Sequence, residues 1–214
     1  MSEFGYIPDS SVEQKPFSNK GIFSPTDIYN LDQVDKWTQF GQLELIETKT
    51  GSGVAQVDFT DIKATEYDIH FLTINDFRVA TDGQTCAIRL RNAGSSSFVT
   101  AGNQWANQTG RDAGTFAENR STSSTYIEIA RLLGNDNNAT LGGYVYFYGL
   151  GNGAEYNYTN HMTSYGNEFS KEYMFSFGGG HNNVPTQTDA IRLTTTSGNI
   201  SVAEASLYGI KVYK

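Results

Sequence analysis

The chain reads as all-β: a jelly-roll-like, two-sheet antiparallel sandwich over residues 41–214, preceded by an N-terminal extended arm and one short helix within residues 1–40. Three observations predict it. Tyr and Phe, 13 of each in 214 residues, supply an aromatic content that favours strands over helices. From residue 42 onward, apolar residues recur with a period of two in short runs. Those runs are separated by Gly, Asn, Ser and Thr, and 22 Gly provide the positive-φ positions that tight turns need. A chain of this length holds one β-domain with an appendage and buries a sizeable core.

Residues 1–20 are polar, and Pro8 and Pro16 interrupt regular structure. Alone, this stretch buries too little apolar surface to order itself. Phe4, Tyr6, Ile7 and Phe17 are nonetheless spaced as anchors for another surface, the alternative being a disordered leader. GIFSPTDIYNLDQVDKWTQF follows and carries the clearest local signal. Ser24 fits the N-cap and Pro25 the first helical position, where a missing N–H costs nothing. Asp27 suits the positive end of the helix dipole, and Phe23 with Ile28 has the spacing of a hydrophobic staple. Ile28, Leu31, Val34 and Trp37 recur every three residues, predicting a helix near 25–37 that lays its stripe on the sandwich or on a partner. Gly41 ends it.

The strands are expected in order. QLELIETKT leads to a turn at Gly51–Gly53 and a returning strand, VAQVDF. EYDIHFLTINDFRVA (66–80) is apolar on both parities, as for a central strand covered on both faces. Asp82-Gly83 reads as a hairpin turn, after which CAIRLR points Ile88 and Leu90 inward and Arg89 and Arg91 outward. Residues 92–123 form a long polar stretch, which is either functional or conceals a strand. STYIEIARLL, a turn at NDNN (135–138), and LGGYVYFYGL follow, with Val145 and Phe147 opposite Tyr144, Tyr146 and Tyr148. A second polar, aromatic stretch covers 151–170, and KEYMFSF, DAIRLTTT and ASLYGIKVY complete about ten strands.

Chemistry is sparse. His70, His161 and His181 stand in no metal-ligand spacing, and no GxSxG elbow is present. FGGGHNN (177–183) lacks the lysine and helix start of a phosphate cradle and reads as a flexible loop. The carboxylate pairs Glu155 with Glu168 and Asp112 with Glu118 read as solvated, and NDNN lacks the carboxylate spacing of a calcium loop. Cys86, the single cysteine, reads as a small buried hydrophobe, and no intrachain disulfide can form. The reading is of a protein without enzymatic activity, cofactor or metal. Aromatic rings beside amides and hydroxyls suit sugars, making Trp105, Tyr156, Tyr158 and Tyr165 candidate glycan contacts. The row Tyr144, Tyr146, Tyr148 reads first as a packing surface for the other sheet, the N-terminal helix or an identical chain.

With 15 basic and 23 acidic residues the net charge is −8, which opposes nucleic acid and anionic lipid. The N-terminus lacks the basic and apolar regions of a secretory signal, and no run of about 18 apolar residues offers a membrane span.

The segments DFTDI (58–62), IHFLTINDFRVA (69–80), IRLRN (88–92) and SLYGIK (206–211), in that order, resemble a recurrent β-sandwich module in virion structural proteins of tailed phages, marine and cyanophage-like ones especially. GIFSPTDIYNL is similar to the short leader of such proteins. The resemblance implies a virion surface appendage of jelly-roll topology, assembled in the host cytoplasm as a homo-oligomer, with a trimer favoured. Its type would be capsid decoration, capsid fibre or tail fibre. Residues 1–40, through Phe4, Tyr6, Ile7, Phe17, Phe23, Ile28, Leu31 and Trp37, would then contact other virion proteins. A carbohydrate-binding module for a host surface glycan is the alternative function. The chain departs from the module's pattern at 92–123 and 151–170.

Overall fold

A computed structural model describes residues 24–33, 43–167 and 172–210. The chain divides into two compact units, Met1–Gly41 and Gln42–Lys214. In the first, helix α1 spans Pro25–Gln33, with Pro25 at its first position. The predicted continuation to residue 37, the side chains of Ile28 and Leu31, and all of Phe4, Tyr6, Ile7, Phe17, Phe23 and Trp37 lie outside the described residues.

The second unit is built of strands: β1 (Leu43–Val54), β2 (Gln56–Phe59), β3 (Ile69–Val79), β4 (Gln84–Asn92), β5 (Asn103–Arg111), β6 (Phe116–Ser124), β7 (Ile127–Leu133), β8 (Leu141–Tyr148), β9 (Tyr158–Gly166), β10 (Tyr173–Asn182), β11 (Thr188–Thr195) and β12 (Ile200–Ile210). They form an eight-stranded sheet, β1-β12-β3-β8-β9-β10-β5-β6, and a four-stranded sheet, β2-β11-β4-β7. All named pairings are antiparallel. Without β5, β6, β9 and β10, what remains is a jelly roll, β1-β12-β3-β8 facing β2-β11-β4-β7. The β5–β6 hairpin enters between β4 and β7, and β9–β10 between β8 and β11. The two hairpins pair through β10 and β5 and double the width of one sheet.

Jelly-roll connectivity corrects two turns. Gly51 and Ser52 pair with Ala203 and Val202 inside β1, so Gly51–Gly53 is not a hairpin turn, and the chain changes sheets only after Val54. Asp82-Gly83 joins β3 of the large sheet to β4 of the small one. It is a corner across the sandwich, with Gly83 at φ 77° and Asp82 Oδ1 accepting from the Asn135 N–H at 2.7 Å. β3 and β4 lie in different sheets, so the short link between them cannot close a hairpin. The stretches 92–123 and 151–170 are likewise not loops, since they hold β5, β6 and β9. FGGGHNN is not one either: the three glycines continue β10.

The core lies between the sheets. Leu72, Ile74, Phe77 and Val79 of β3 and Val145 and Phe147 of β8 meet Ile88, Leu90, Ile191 and Leu193 of the small sheet. Each such side chain, fully buried, stabilises by roughly 1.5–3 kcal/mol. Cys86 joins this core, and burial pushes its thiol pKa well up. β3 is central in the large sheet but buried on one face only, because Phe71 and Thr73 point to the outer side and stay half-exposed.

Under the added hairpins the interior turns polar: Asn107, Thr109, Thr159, His161, Thr163 and Ser176 are all buried. The cause is β7, whose edge faces these side chains. Asn107 Nδ2 donates to the Glu128 carbonyl at 2.8 Å and Thr163 Oγ1 to the Ile129 carbonyl at 2.8 Å, while the Tyr165 hydroxyl accepts from the Arg131 N–H at 3.3 Å. A buried strand edge needs such partners for its backbone groups.

Candidate functional site

Exposed large apolar side chains concentrate on the outer face of the eight-stranded sheet. Leu45, Tyr208, Phe71, Tyr146, Asn160, Gly179, Ala106 and Arg120 fall in one register row across all eight strands. Two aromatic clusters stand on this face. On β8, Tyr144, Tyr146 and Tyr148 line up, with Tyr146 and Tyr148 stacked at 6.2 Å and Phe71 4.6 Å from Tyr146. On β10, Phe175 and Phe177 stack at 6.2 Å, and Phe116 of β6 meets Phe175 edge-on at 6.0 Å. The Tyr row therefore does not pack on the other sheet, since period two puts Val145 and Phe147 inside and the tyrosines outside.

Beyond Phe177 the outer face of β10 changes character. A Cβ on Gly179 would lie 2.2 Å from the Thr159 carbonyl oxygen, so only glycine fits. With Ala106 beside it in register, the sheet surface there has almost no side chains above it. Around this floor lies a shallow trench of about 450 Å³ bordered by Tyr158, Asn160, His181, Gln104 and Arg120. Tyr158 is 51% exposed and Tyr156 39%. His181 sits 5.4 Å from the first ring and 5.1 Å from the second, and its Nδ1 lies 3.0 Å from the Asn182 carbonyl, which orients the imidazole. Aromatic faces, an amide and a guanidinium over an open backbone floor can hold a flat polar ligand such as a sugar ring.

Only half of the sugar-contact expectation is brought together here. Tyr156 and Tyr158 are neighbours, their rings 6.5 Å apart and nearly perpendicular. Tyr165 is not a surface contact: it is 3% exposed in the core, and burial pushes its phenol up to about 12. Trp105 also lies along the trench, but it takes the inner side of β5 and packs against the core. Alternation along β5 and β9 decides both, because Gln104 and Tyr158 take the outer face and their neighbours the inner one. Sequence reasoning missed Asn160, Gly179, His181 and Arg120, which come from three strands of two inserted hairpins and share no local motif.

The remaining titratable groups of interest are scattered. His70 is buried in β3 with Nε2 2.7 Å from the Ile62 carbonyl, and His161 is buried with Nε2 3.3 Å from Ser176 Oγ. Burial lowers the pKa of both, His161 to about 4. Glu168 lies outside the described residues. Among the described residues no group of three or more His, Cys, Asp or Glu is placed to hold a metal ion, and no helix is long and apolar enough to cross a membrane. No protein-family model, no curated protein and no solved structure matches this chain.

Proposed function

We propose that this chain is a non-enzymatic structural protein of a tailed-phage virion, an outward-facing appendage of capsid-decoration, capsid-fibre or tail-fibre type. Residues 1–40 attach it to other virion proteins, and the jelly roll is the displayed part. The observation that carries this reading is the division of the chain at Gly41, a short unit followed by one jelly roll. The exposed aromatic face of the large sheet supports self-association, because contiguous apolar surface of this kind marks an interaction site; a trimer is the state that the resemblance to virion modules implies. Quantitative mass spectrometry of purified particles tests the reading. Copy number near that of the major capsid protein assigns it to the shell, a far lower number to the tail, and absence removes the proposal. Deletion of residues 1–40 should leave a folded sandwich that no longer enters particles, and normal incorporation would refute the arm's role.

A second reading, recognition of a host surface glycan, is favoured by the glycine-floored trench beside Tyr156, Tyr158 and His181. Tyr158→Ala should abolish retention on cell-wall or lipopolysaccharide preparations while thermal unfolding stays unchanged. A wild-type protein that no such preparation retains ends this reading.

A further inference from the structure

The trench is not the only concave surface. β6 is the last strand of the large sheet and β7 the last of the small one, and between these two edges lies a cleft of about 530 Å³. Trp105, Asn119, Ser121, Tyr126, Glu128 and Arg131 line it. That volume falls within the range of small-molecule sites.

Three polar atoms in its walls are shut away from solvent without a hydrogen-bond partner among the described residues: Trp105 Nε1, Glu128 Oε1 and Arg131 Nε. They come from both sheets. Glu128 is only 4% exposed. Each unpaired buried group costs about 1–3 kcal/mol, so three around one cleft need an explanation. The guanidinium is not loose, since Arg131 Nη1 donates to Asn119 Oδ1. Burial raises the carboxyl pKa of Glu128 against the opposing pull of Arg131 and Asn107. The unpartnered Glu128 Oε1 gains from any donor that reaches it.

The chemistry of the complement follows. Glu118 and Arg120 also border the cleft, so two carboxylates face two guanidiniums and the lining carries no net charge. A charged ligand would leave one sign unbalanced. The unpartnered atoms are two donors, the indole and guanidinium N–H groups, and one acceptor, the carboxylate oxygen. Adjacent hydroxyls on a ring can satisfy both kinds, while Trp105 offers an aromatic surface to the ring's C–H groups.

We propose that the cleft between β6 and β7 binds a neutral saccharide residue. One hydroxyl donates to the Glu128 carboxylate, and neighbouring hydroxyls accept from Trp105 Nε1–H and Arg131 Nε–H. The cleft adjoins the trench and shares Trp105, Arg120 and Ser121 with it, but Glu128 and Arg131 line the cleft and not the trench, so the proposal does not depend on the trench reading or on virion assembly.

The test is titration of the ¹⁵N-labelled full chain with methyl glycosides of glucose, galactose, mannose and N-acetylglucosamine. Of the two Trp, Trp37 and Trp105, the indole N–H signal lost in Trp105→Phe identifies Trp105. At least one glycoside should move this signal saturably. Glu128→Gln should weaken that affinity about tenfold or more, the effect of losing a charge-assisted hydrogen bond. Tyr158→Ala should leave it unchanged. If Glu128→Gln does not fold by thermal unfolding, Asn119→Ala replaces it, with several-fold weakening expected because Arg131 loses its orientation. No response to any glycoside overturns the proposal. So does a stronger response to ammonium, formate or glycine, which would make this a site for a charged ligand, and so does unchanged affinity in the folded variant. A glycoside that perturbs only Tyr158 and its neighbours overturns this site and supports the trench.

Discussion

Asn107 of β5 donates its side-chain amide to the backbone carbonyl of Glu128, the two atoms 2.8 Å apart and both buried, and so ties the inserted hairpins to the edge of the small sheet. Replacing Asn107 by Leu removes the donor and leaves a buried carbonyl unpaired. A loss of about 1–3 kcal/mol is expected, read as a lower midpoint in urea with an unchanged slope. A neutral result would mean that the β7 edge finds another partner.

His161 lies in the same polar interior, and its pKa makes stability depend on pH. In the unfolded chain the imidazole titrates near 6.5, and in the folded protein burial holds it at about 4. Below 6.5 the unfolded state takes up a proton that the folded state refuses. The contribution is therefore intact above pH 6.5 and lost as pH falls toward 4, about 3 kcal/mol at about 1.4 kcal/mol per pKa unit. His70, lowered in the same direction, adds to the slope. Urea unfolding at pH 7.5 and 4.5 measures it, and His161→Gln should flatten the dependence.

On the outer face of the small sheet, Asp58 accepts from Arg192 Nε at 2.7 Å and from Nη2 at 2.8 Å, and the same guanidinium lies 3.9 Å above the Phe98 ring. Lysine reproduces neither the two-pronged bond nor the stacking. Arg192→Lys should therefore cost nearly as much as Arg192→Ala, about 1–2 kcal/mol, in thermal unfolding. A lysine variant at wild-type stability would show that a point charge suffices.

Gly209 belongs to the closing segment SLYGIK, and its place in the fold explains the glycine. A Cβ there would stand 2.3–2.5 Å from the Tyr67 ring, whose hydroxyl donates to Glu44 Oε2 at 2.7 Å. Gly209→Ala should force the ring away and destabilise by about 1–3 kcal/mol. The companion Tyr67→Ala/Gly209→Ala double variant should recover part of that overpacking cost, and strictly additive losses would contradict the steric account.

Cys86 is fully buried, with a thiol that burial keeps protonated. A thiol reagent should label it only after denaturant is added, because the thiolate is the reactive form. Rapid labelling of the folded protein would show local opening of β4.

Much of this architecture is legible in the sequence. Strands such as CAIRLR and LGGYVYFY alternate apolar with polar residues, and each places its apolar set in the core as that alternation demands. Asn-, Ser- and Thr-rich β5, β6 and β9 stayed hidden for a physical reason. Their inward side chains hydrogen-bond the β7 edge, as Asn107 and Thr163 do, bond within the hairpins, as Thr109 and Thr159 do, or line the edge cleft, so no apolar period marks them.

By itself, the sequence determined the β class, the Pro25 start of the helix, the inward and outward faces of the apolar strands and the burial of Cys86, because these depend on local period and side-chain polarity. Tertiary structure alone decided which short links cross the sandwich, that two inserted hairpins double one sheet, and that Trp105 turns inward while Tyr158 stays outside. It also brought Glu128 and Arg131 of β7 against Trp105 of β5. Sheet pairing joins residues far apart in the chain, and whether a polar side chain ends in solvent or in a buried network depends on what the opposite sheet presents to it.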